Sequence, residues 1–199
     1  MSADVLSIAT HNATLWTSDL FDAKTRAEAR ELLDQGDDAL IEPFYKDLDF
    51  GTGGMRGIMG VGTNRINAYT LGLATQGLAE YAQQSVGRKD LKAAIAYDSR
   101  NNSQSFARKV AEVLSANGVH TYLFEELRPT PELSFAVREM GCDFGIVLTA
   151  SHNPKEYNGY KVYWNDGGQL VPPHDKGVIE QVRATSFEDI RWDANEALI

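Results

Sequence analysis

The first half of the chain combines helical patterns with a glycine-rich segment. Residues 18–44 mix alanines and leucines with charged residues and predict a helical lead-in, which Pro43 breaks. Apolar residues recur at helical spacing again from about residue 67 to 85, and Gly87 ends this segment. Between these helices, residues 51–57 contain four glycines and predict a loop or tight turn.

The second half alternates short apolar runs with amphipathic segments. Strands are predicted at residues 93–97, 119–124, 144–148 and 160–164. Helices are predicted after the first, second and fourth strands: the first is capped by Ser103, the second begins at Thr130, and the last opens at Pro172. The fourth strand follows a loop rather than a helix, so antiparallel pairing is open to it.

Helices that join successive strands over short links are typical of parallel sheets covered on both faces. We therefore predict an α/β fold, a three-layer α/β/α sandwich around a mixed, mostly parallel sheet of about four main strands. Residues 1–45 are predicted to form a helical amino-terminal extension and residues 46–185 the α/β domain. Residues 186–199 are predicted to start a linker to a next domain that this sequence does not contain.

Composition narrows the function classes. The hydrophobic fraction of 43% and charged fraction of 24% are ordinary for a globular protein. The net charge of −9 disfavours nucleic acids and anionic membranes, which both require a basic surface. We find no secretion signal and no apolar run of ~18 residues, and expect a cytoplasmic protein. The single cysteine, Cys142, is most typical of a small buried hydrophobe.

Two polar loops are predicted at one edge of the sheet. Residues 98–103 follow the first strand and residues 149–159 follow the third. Ligands of open α/β sheets bind outside the carboxyl ends of the strands, which is where both loops should lie. Their hydroxyls, amides and cations suit an anionic, hydroxyl-rich ligand.

The second loop carries the most specific signal in the sequence. It reads TASHNP at residues 149–154 and YNGYK at 157–161, after GTGGMRG at 51–57 and DSR at 98–100. In order and type, these segments resemble the α-D-phosphohexomutase superfamily, which includes phosphoglucomutases, phosphomannomutases and pentomutase-like relatives. The resemblance is to the amino-terminal domain and runs from about residue 46 to 182.

The resemblance implies a phosphosugar mutase, an intramolecular phosphotransferase that interconverts hexose 1-phosphate and hexose 6-phosphate. It implies that phosphorylated Ser151 donates its phosphoryl group to the sugar, and that the resulting bisphosphate reorients and returns its other phosphate. Lys161 is implied as the general acid/base, and His152 as a contact of the substrate or the serine. Arg56, Asn153 and Arg100 are implied to bind phosphate, with support of the loops as the alternative for Arg100.

The resemblance also implies Mg²⁺, which the family holds between the serine phosphate and a triple-aspartate loop of the Asp-x-Asp-x-Asp-Arg kind. This sequence contains Ser151 but no such loop. We therefore expect Mg²⁺, together with a sugar bisphosphate activator, to serve a longer enzyme whose remaining domains complete the site. The 199-residue chain alone is predicted to be inactive.

Other classes agree less well with the residues. Adjacent residues such as Ser151 and His152 rarely direct a base nitrogen at a hydroxyl, and no Gly-x-Ser-x-Gly elbow surrounds the serine. The glycines at 51–57 lack the spacing of a dinucleotide-binding loop. A standalone sugar-phosphate-binding or phosphocarrier module without mutase activity is the alternative. Glucose, mannose and pentose phosphates all stay open as substrates.

Overall fold

The computed structural model describes residues 3–51 and 53–199, so Met1, Ser2 and Thr52 of the glycine-rich motif lie outside the described residues. The helices are α1 (Ala3–Leu15), α2 (Ala23–Gln35), α3 (Asp37–Phe44), α4 (Ala68–Val86), α5 (Ser103–Ala116), α6 (Thr130–Glu139) and α7 (His174–Ala184). The strands are β1 (Gly54–Ile58), β2 (Lys92–Tyr97), β3 (His120–Leu123), β4 (Phe144–Leu148) and β5 (Tyr157–Trp164). Two short 3₁₀ helices follow at Phe187–Asp189 and Glu196–Leu198.

The strands form one mixed sheet in the order β1-β5-β4-β2-β3. Strand β2 pairs in parallel with β3 and β4, whereas β5 pairs antiparallel with both β4 and β1. The antiparallel pairing that the sequence left open for the fourth predicted strand is therefore confirmed. Since two antiparallel steps restore the original direction, β1 runs the same way as the three parallel strands, and only β5 opposes them.

Helices cover both faces of this sheet, as the predicted sandwich requires. Helices α4, α5 and α7 bury Leu78, Val110 and Val178 against one face. Helix α6 packs on the opposite face, where Leu133 joins a smaller apolar cluster with Val147 of β4. The side chains at alternate positions of each buried strand therefore enter two separate cores.

Strand β1 corrects the prediction of a loop through residue 57 and gives the sheet five strands. It pairs with β5 so closely that a Cβ atom on Gly54 would lie 1.9 Å from the carbonyl oxygen of Tyr160. A Cβ atom on Gly159 would lie 2.6 Å from the carbonyl oxygen of Thr149 in the same way. The absence of a side chain at Gly54 and Gly159 therefore permits close backbone approach. Gly54, part of the segment predicted as a turn, lies instead in a strand pair.

The cap of α5 also differs from the prediction. Asn102, with φ 62°, is the capping residue and makes no side-chain cap hydrogen bond. Ser103 is instead the first helical residue, fully buried, and its Oγ donates to Asp98 Oδ1 over 2.8 Å. Ser103 therefore connects the helix to the loop before it, rather than capping the helix.

The amino-terminal helices form a unit with an aromatic core of its own. Trp16 stacks on Phe21 at 4.5 Å between ring centroids and meets the edges of Phe44, Tyr69 and Phe187. Tyr69 lies in the first turn of α4, so this cluster joins the unit to the α/β core. The sequence predicted a helical extension over residues 1–45, with a helical pattern named only from residue 18 to 44, and the structure has α1, α2 and α3 in this region.

Two expectations from composition can be compared with the structure. Cys142 is buried in the α6-side cluster, as predicted, and burial raises the pKa of its thiol to about 11. Among the described residues, no helix combines the length and apolar character needed to cross a membrane.

Candidate active site

The candidate site lies where the chain changes direction across the sheet. From β2 the chain passes through α5 to β3 on one side of β2, and then through α6 to β4 on the other side. Helices α5 and α6 therefore leave opposite faces, and the carboxyl ends of β2 and β4 form a topological switch point, the position of the ligand crevice in open α/β sheets. The two predicted polar loops meet at this crevice.

Ser151 occupies an exposed turn directly after β4. Its φ of 56° places it in the left-handed region, which non-glycine residues rarely adopt. Its N–H donates to Thr149 Oγ1 over 3.0 Å, and the N–H of Asn153 donates to the carbonyl of Ala150 over 3.1 Å. These two bonds close the turn and leave the Ser151 side chain open to solvent.

His152 is the immediate side-chain neighbour of this hydroxyl. Its Nδ1 lies 3.4 Å from Ser151 Oγ, and both side chains are exposed. The His152 N–H makes no hydrogen bond with any described residue. The turn therefore presents a hydroxyl, an imidazole nitrogen and a backbone donor to the same solvent-filled space.

Arg100 is the residue that joins the two loops. Its Nη1 donates to the carbonyls of Pro154 and Tyr157 over 2.9 and 3.0 Å. Its Nη2 donates to the carbonyls of Ser151 and Asn153 over 2.7 and 2.6 Å. One guanidinium group thus binds four backbone carbonyls of the turn that carries the serine.

A buried polar network lies beneath this contact. Asp98 Oδ1 accepts hydrogen bonds from the Arg100 N–H and from Ser103 Oγ. Asn158, also fully buried, donates to Ser103 Oγ and to the carbonyl of Asn101, both over 3.0 Å. Neither Ser103 nor Asn158 is among the site residues predicted from the sequence, although Asn158 belongs to the YNGYK segment that carries the resemblance.

Arg56 and Asn153, predicted to bind phosphate, are brought together. Arg56 projects from β1, and its Nη1 donates to Asn153 Oδ1 over 3.0 Å. The Arg56 side chain is exposed and has no other hydrogen bond or ion pair with a described residue. Most of its donors therefore face solvent beside the Ser151 turn.

Lys161 shares a face of the sheet with Arg56. It is paired with Val147 of β4 and with Gly54 of β1, and residues directly opposite in a sheet share a face. Arg56, two positions along β1 from Gly54, lies on that face too. The Lys161 side chain is half-buried and makes no hydrogen bond or ion pair with a described residue, Ser151 included.

The described residues do not by themselves fit a Mg²⁺ site. They contain no group of three or more His, Cys, Asp or Glu side chains that could hold a metal ion. Mg²⁺ prefers six oxygen ligands, which usually include one or two carboxylates and a phosphate. The ligand that the resemblance implies within this chain is a phosphate on Ser151, which alone supplies too few oxygens for the ion.

Comparisons with known proteins agree with this geometry. Residues 47–189 match the family model described as "Phosphoglucomutase/phosphomannomutase, alpha/beta/alpha domain I". A structure of a phosphoglucomutase/phosphomannomutase family protein from Burkholderia thailandensis superimposes with a TM-score of 0.56 at 24% identity, over 73% of this chain and 31% of that one. At this identity the superposition is evidence for the fold alone.

Curated relatives are similar over most of this chain. A Schizosaccharomyces pombe protein named "Probable phosphoribomutase" is 41% identical over 87% of the chain and 30% of its own length. Human phosphopentomutase is 38% identical over 79% of the chain, and Staphylococcus epidermidis phosphoglucomutase is 40% identical over 69%, each across 27% of its own length. The chain thus spans less than a third of the length of these relatives. It belongs to the phosphoglucomutase/phosphomannomutase family, through the α/β/α domain I of that family.

Proposed function

We propose that this chain is the phosphoryl-carrying domain of a phosphosugar mutase that interconverts hexose 1-phosphate and hexose 6-phosphate. The observation that carries the proposal is the placement of Ser151. Its hydroxyl is exposed at the crevice between β2 and β4, beside His152, on a turn closed by hydrogen bonds to the Thr149 hydroxyl and the Ala150 carbonyl. The family membership and the names of the relatives support the same reaction class.

The reaction begins with a phosphoryl group on Ser151. A hydroxyl oxygen of the sugar monophosphate attacks phosphorus, a new P–O bond forms to the sugar, and the bond from phosphorus to Ser151 Oγ breaks. The attacking hydroxyl loses its proton and Ser151 Oγ gains one, so that the products are free serine and a sugar bisphosphate. The bisphosphate then reorients, and the same steps run in reverse with its other phosphate.

Proton transfer is assigned to Lys161 and His152. We assign Lys161 as the general acid/base because it has no partner among the described residues and shares a face with Arg56. His152 Nδ1, 3.4 Å from Ser151 Oγ, is placed to hydrogen-bond the serine oxygen as its bond to phosphorus breaks. The two residues thereby serve opposite ends of the transferring group.

The other requirement of this chemistry is neutralisation of the negative charge on the phosphoryl oxygens. Arg56 supplies a guanidinium group whose only hydrogen bond to a described residue is with Asn153, and we assign both residues to phosphate binding. The N–H of His152, which has no hydrogen-bond partner among the described residues, is a further donor beside the serine. When Mg²⁺ is bound it adds positive charge at the phosphate. We propose that its ligands beyond the Ser151 phosphate come from other domains of a longer polypeptide.

The proposal is tested by measuring the mass of the full-length polypeptide after incubation with a sugar 1,6-bisphosphate. We expect a gain of about 80 Da that is absent from Ser151→Ala. Ser105→Ala is the matched control, since Ser105 is an exposed serine at the start of α5, and it should keep the gain. Turnover on a panel of hexose and pentose phosphates should fall to background in Ser151→Ala alone.

The same measurements separate the mutase from the alternative. A standalone phosphocarrier module would show the mass gain on Ser151 without turnover of any sugar phosphate, and a standalone sugar-phosphate-binding module would show neither. Normal turnover by Ser151→Ala would contradict both functions.

A further inference from the structure

We propose that Arg100 is a positioning residue, which fixes the Ser151 turn, rather than a ligand of the substrate phosphate. This inference rests on the proposed function, because it assigns a role within the phosphoryl transfer at Ser151. It is carried by the number and direction of the contacts that the guanidinium group makes.

All five N–H donors of Arg100 face partners within the protein. The two N–H groups of Nη1 and the two of Nη2 are accounted for by the four carbonyls of the turn. The remaining donor, Nε, lies 3.5 Å from Asp98 Oδ2. Only 13% of the side chain is exposed. In this conformation Arg100 has no free N–H donor for the phosphate contact that the sequence predicts.

The contacts require an arginine rather than any cation. The four carbonyls belong to residues that span seven positions of the turn, from Ser151 to Tyr157, and they converge on one planar fork. A lysine has three donors on a single nitrogen and cannot reproduce this geometry. Substitution by lysine therefore keeps the charge and removes the fork.

The guanidinium group is itself anchored on the far side of the crevice. The Asp98 carboxylate faces Nε of Arg100. It also accepts hydrogen bonds from the backbone N–H of Arg100 and from the hydroxyl of the buried Ser103. Asp98 follows β2 and Ser103 begins α5, so these contacts fix the position of the turn relative to two elements of the buried core. Because Ser151 holds an unfavourable left-handed conformation, loss of these contacts should let the turn relax and misplace the hydroxyl.

The test compares Arg100→Lys with Arg56→Lys in the full-length enzyme. For Arg100→Lys we expect kcat to fall by about 10²-fold, the usual effect of small misplacement, with KM unchanged. Hydrogen–deuterium exchange should become faster in the segment 150–158. Arg56 is exposed, and its side chain makes one hydrogen bond with the described residues. For Arg56→Lys we therefore expect a raised KM and unchanged hydrogen–deuterium exchange in that segment.

A raised KM for Arg100→Lys with normal exchange would show a direct phosphate contact and overturn the inference, as would the absence of any change. If Arg100→Lys does not fold at the assay temperature, Asp98→Asn provides a milder test with the same two readouts and a smaller fall in kcat. Turnover by Ser151→Ala would refute the proposed function. The exchange measurement would still decide whether Arg100 positions the turn.

Discussion

Ser151 combines an unfavourable backbone conformation with an exposed hydroxyl. A left-handed φ such as its 56° costs an L-residue about 1–2 kcal/mol. The Thr149 hydroxyl and the Ala150 carbonyl each satisfy one N–H of the turn and help offset this cost. Strain at a reacting side chain that its surroundings compensate is a common feature of catalytic sites.

This conformation predicts an order of stability among variants of Ser151. Ser151→Gly and Ser151→Ala both lose the hydroxyl, but only glycine adopts the left-handed conformation freely. After allowance for the greater flexibility of glycine in the unfolded chain, we expect Ser151→Gly to have an unfolding free energy about 0.5 to 1 kcal/mol above that of Ser151→Ala. Urea denaturation of the two variants measures the difference.

The control pair for this prediction is Ser105→Gly and Ser105→Ala in helix α5. Glycine weakens a helix relative to alanine, so the order of the two variants should reverse there. An alanine variant at least as stable as the glycine variant at residue 151 would contradict the prediction.

For single residues, the sequence shows which side chains are neighbours along the chain, but the long-range contacts that determine the role of a residue such as Arg100 appear only in the fold. The TASHNP segment placed His152 beside Ser151 by adjacency alone. Arg100 is 51 residues from Ser151, and its donors are taken by carbonyls that converge only once the turn has folded. Asn158 and Ser103 were missed for the same reason, because buried polar side chains acquire partners through tertiary structure.

Among the elements, β1 is the one on which the site depends most directly. It is an edge strand paired only with β5, yet it carries Arg56 to the Ser151 turn. Its pairing depends on Gly54, whose φ of 138° and closeness to Tyr160 exclude a side chain. The position of Arg56, proposed to bind phosphate, thus depends on a glycine two residues earlier.

We therefore expect Gly54→Ala to lower the unfolding free energy by about 2 kcal/mol or more, since the added methyl group overlaps the Tyr160 carbonyl. Gly51→Ala is the matched control within the same motif, because its added Cβ would come no closer than 3.8 Å to another residue. Urea denaturation of both variants gives the comparison. Equal losses at the two positions would show that the pairing tolerates a side chain at Gly54.

The predicted strands have a local hydrophobic pattern in the sequence, whereas β1, which was not predicted, has none. Strands β2 and β4 are short apolar runs between helices, and hydrophobic burial on both faces makes such runs visible locally, whereas β3 is marked by its β-forming residues. Strand β1 has two glycines in five residues and is defined by its partner β5, about a hundred residues later. No local pattern carries that pairing.

For the whole molecule, the described residues leave the proposed site open on one side. Ser151, His152 and Arg56 are all exposed, and Lys161 lies half-buried on the adjoining face of the sheet. A mutase must hold the sugar at its reacting hydroxyl and also at the phosphate on its far end, in two orientations. It must also exclude water from the phosphoserine during transfer.

These requirements predict that the purified 199-residue chain has no mutase turnover, even when Ser151 is phosphorylated. The site provides the cationic side chains of Arg56 and Lys161 for the substrate, no metal-binding group of carboxylates among the described residues, and no enclosure for the sugar. A coupled assay with hexose and pentose 1-phosphates should give background rates for the chain and measurable rates for a polypeptide of the relatives' length. Turnover by the 199-residue chain would show that domain I holds both ends of the sugar, and would contradict the need for further domains.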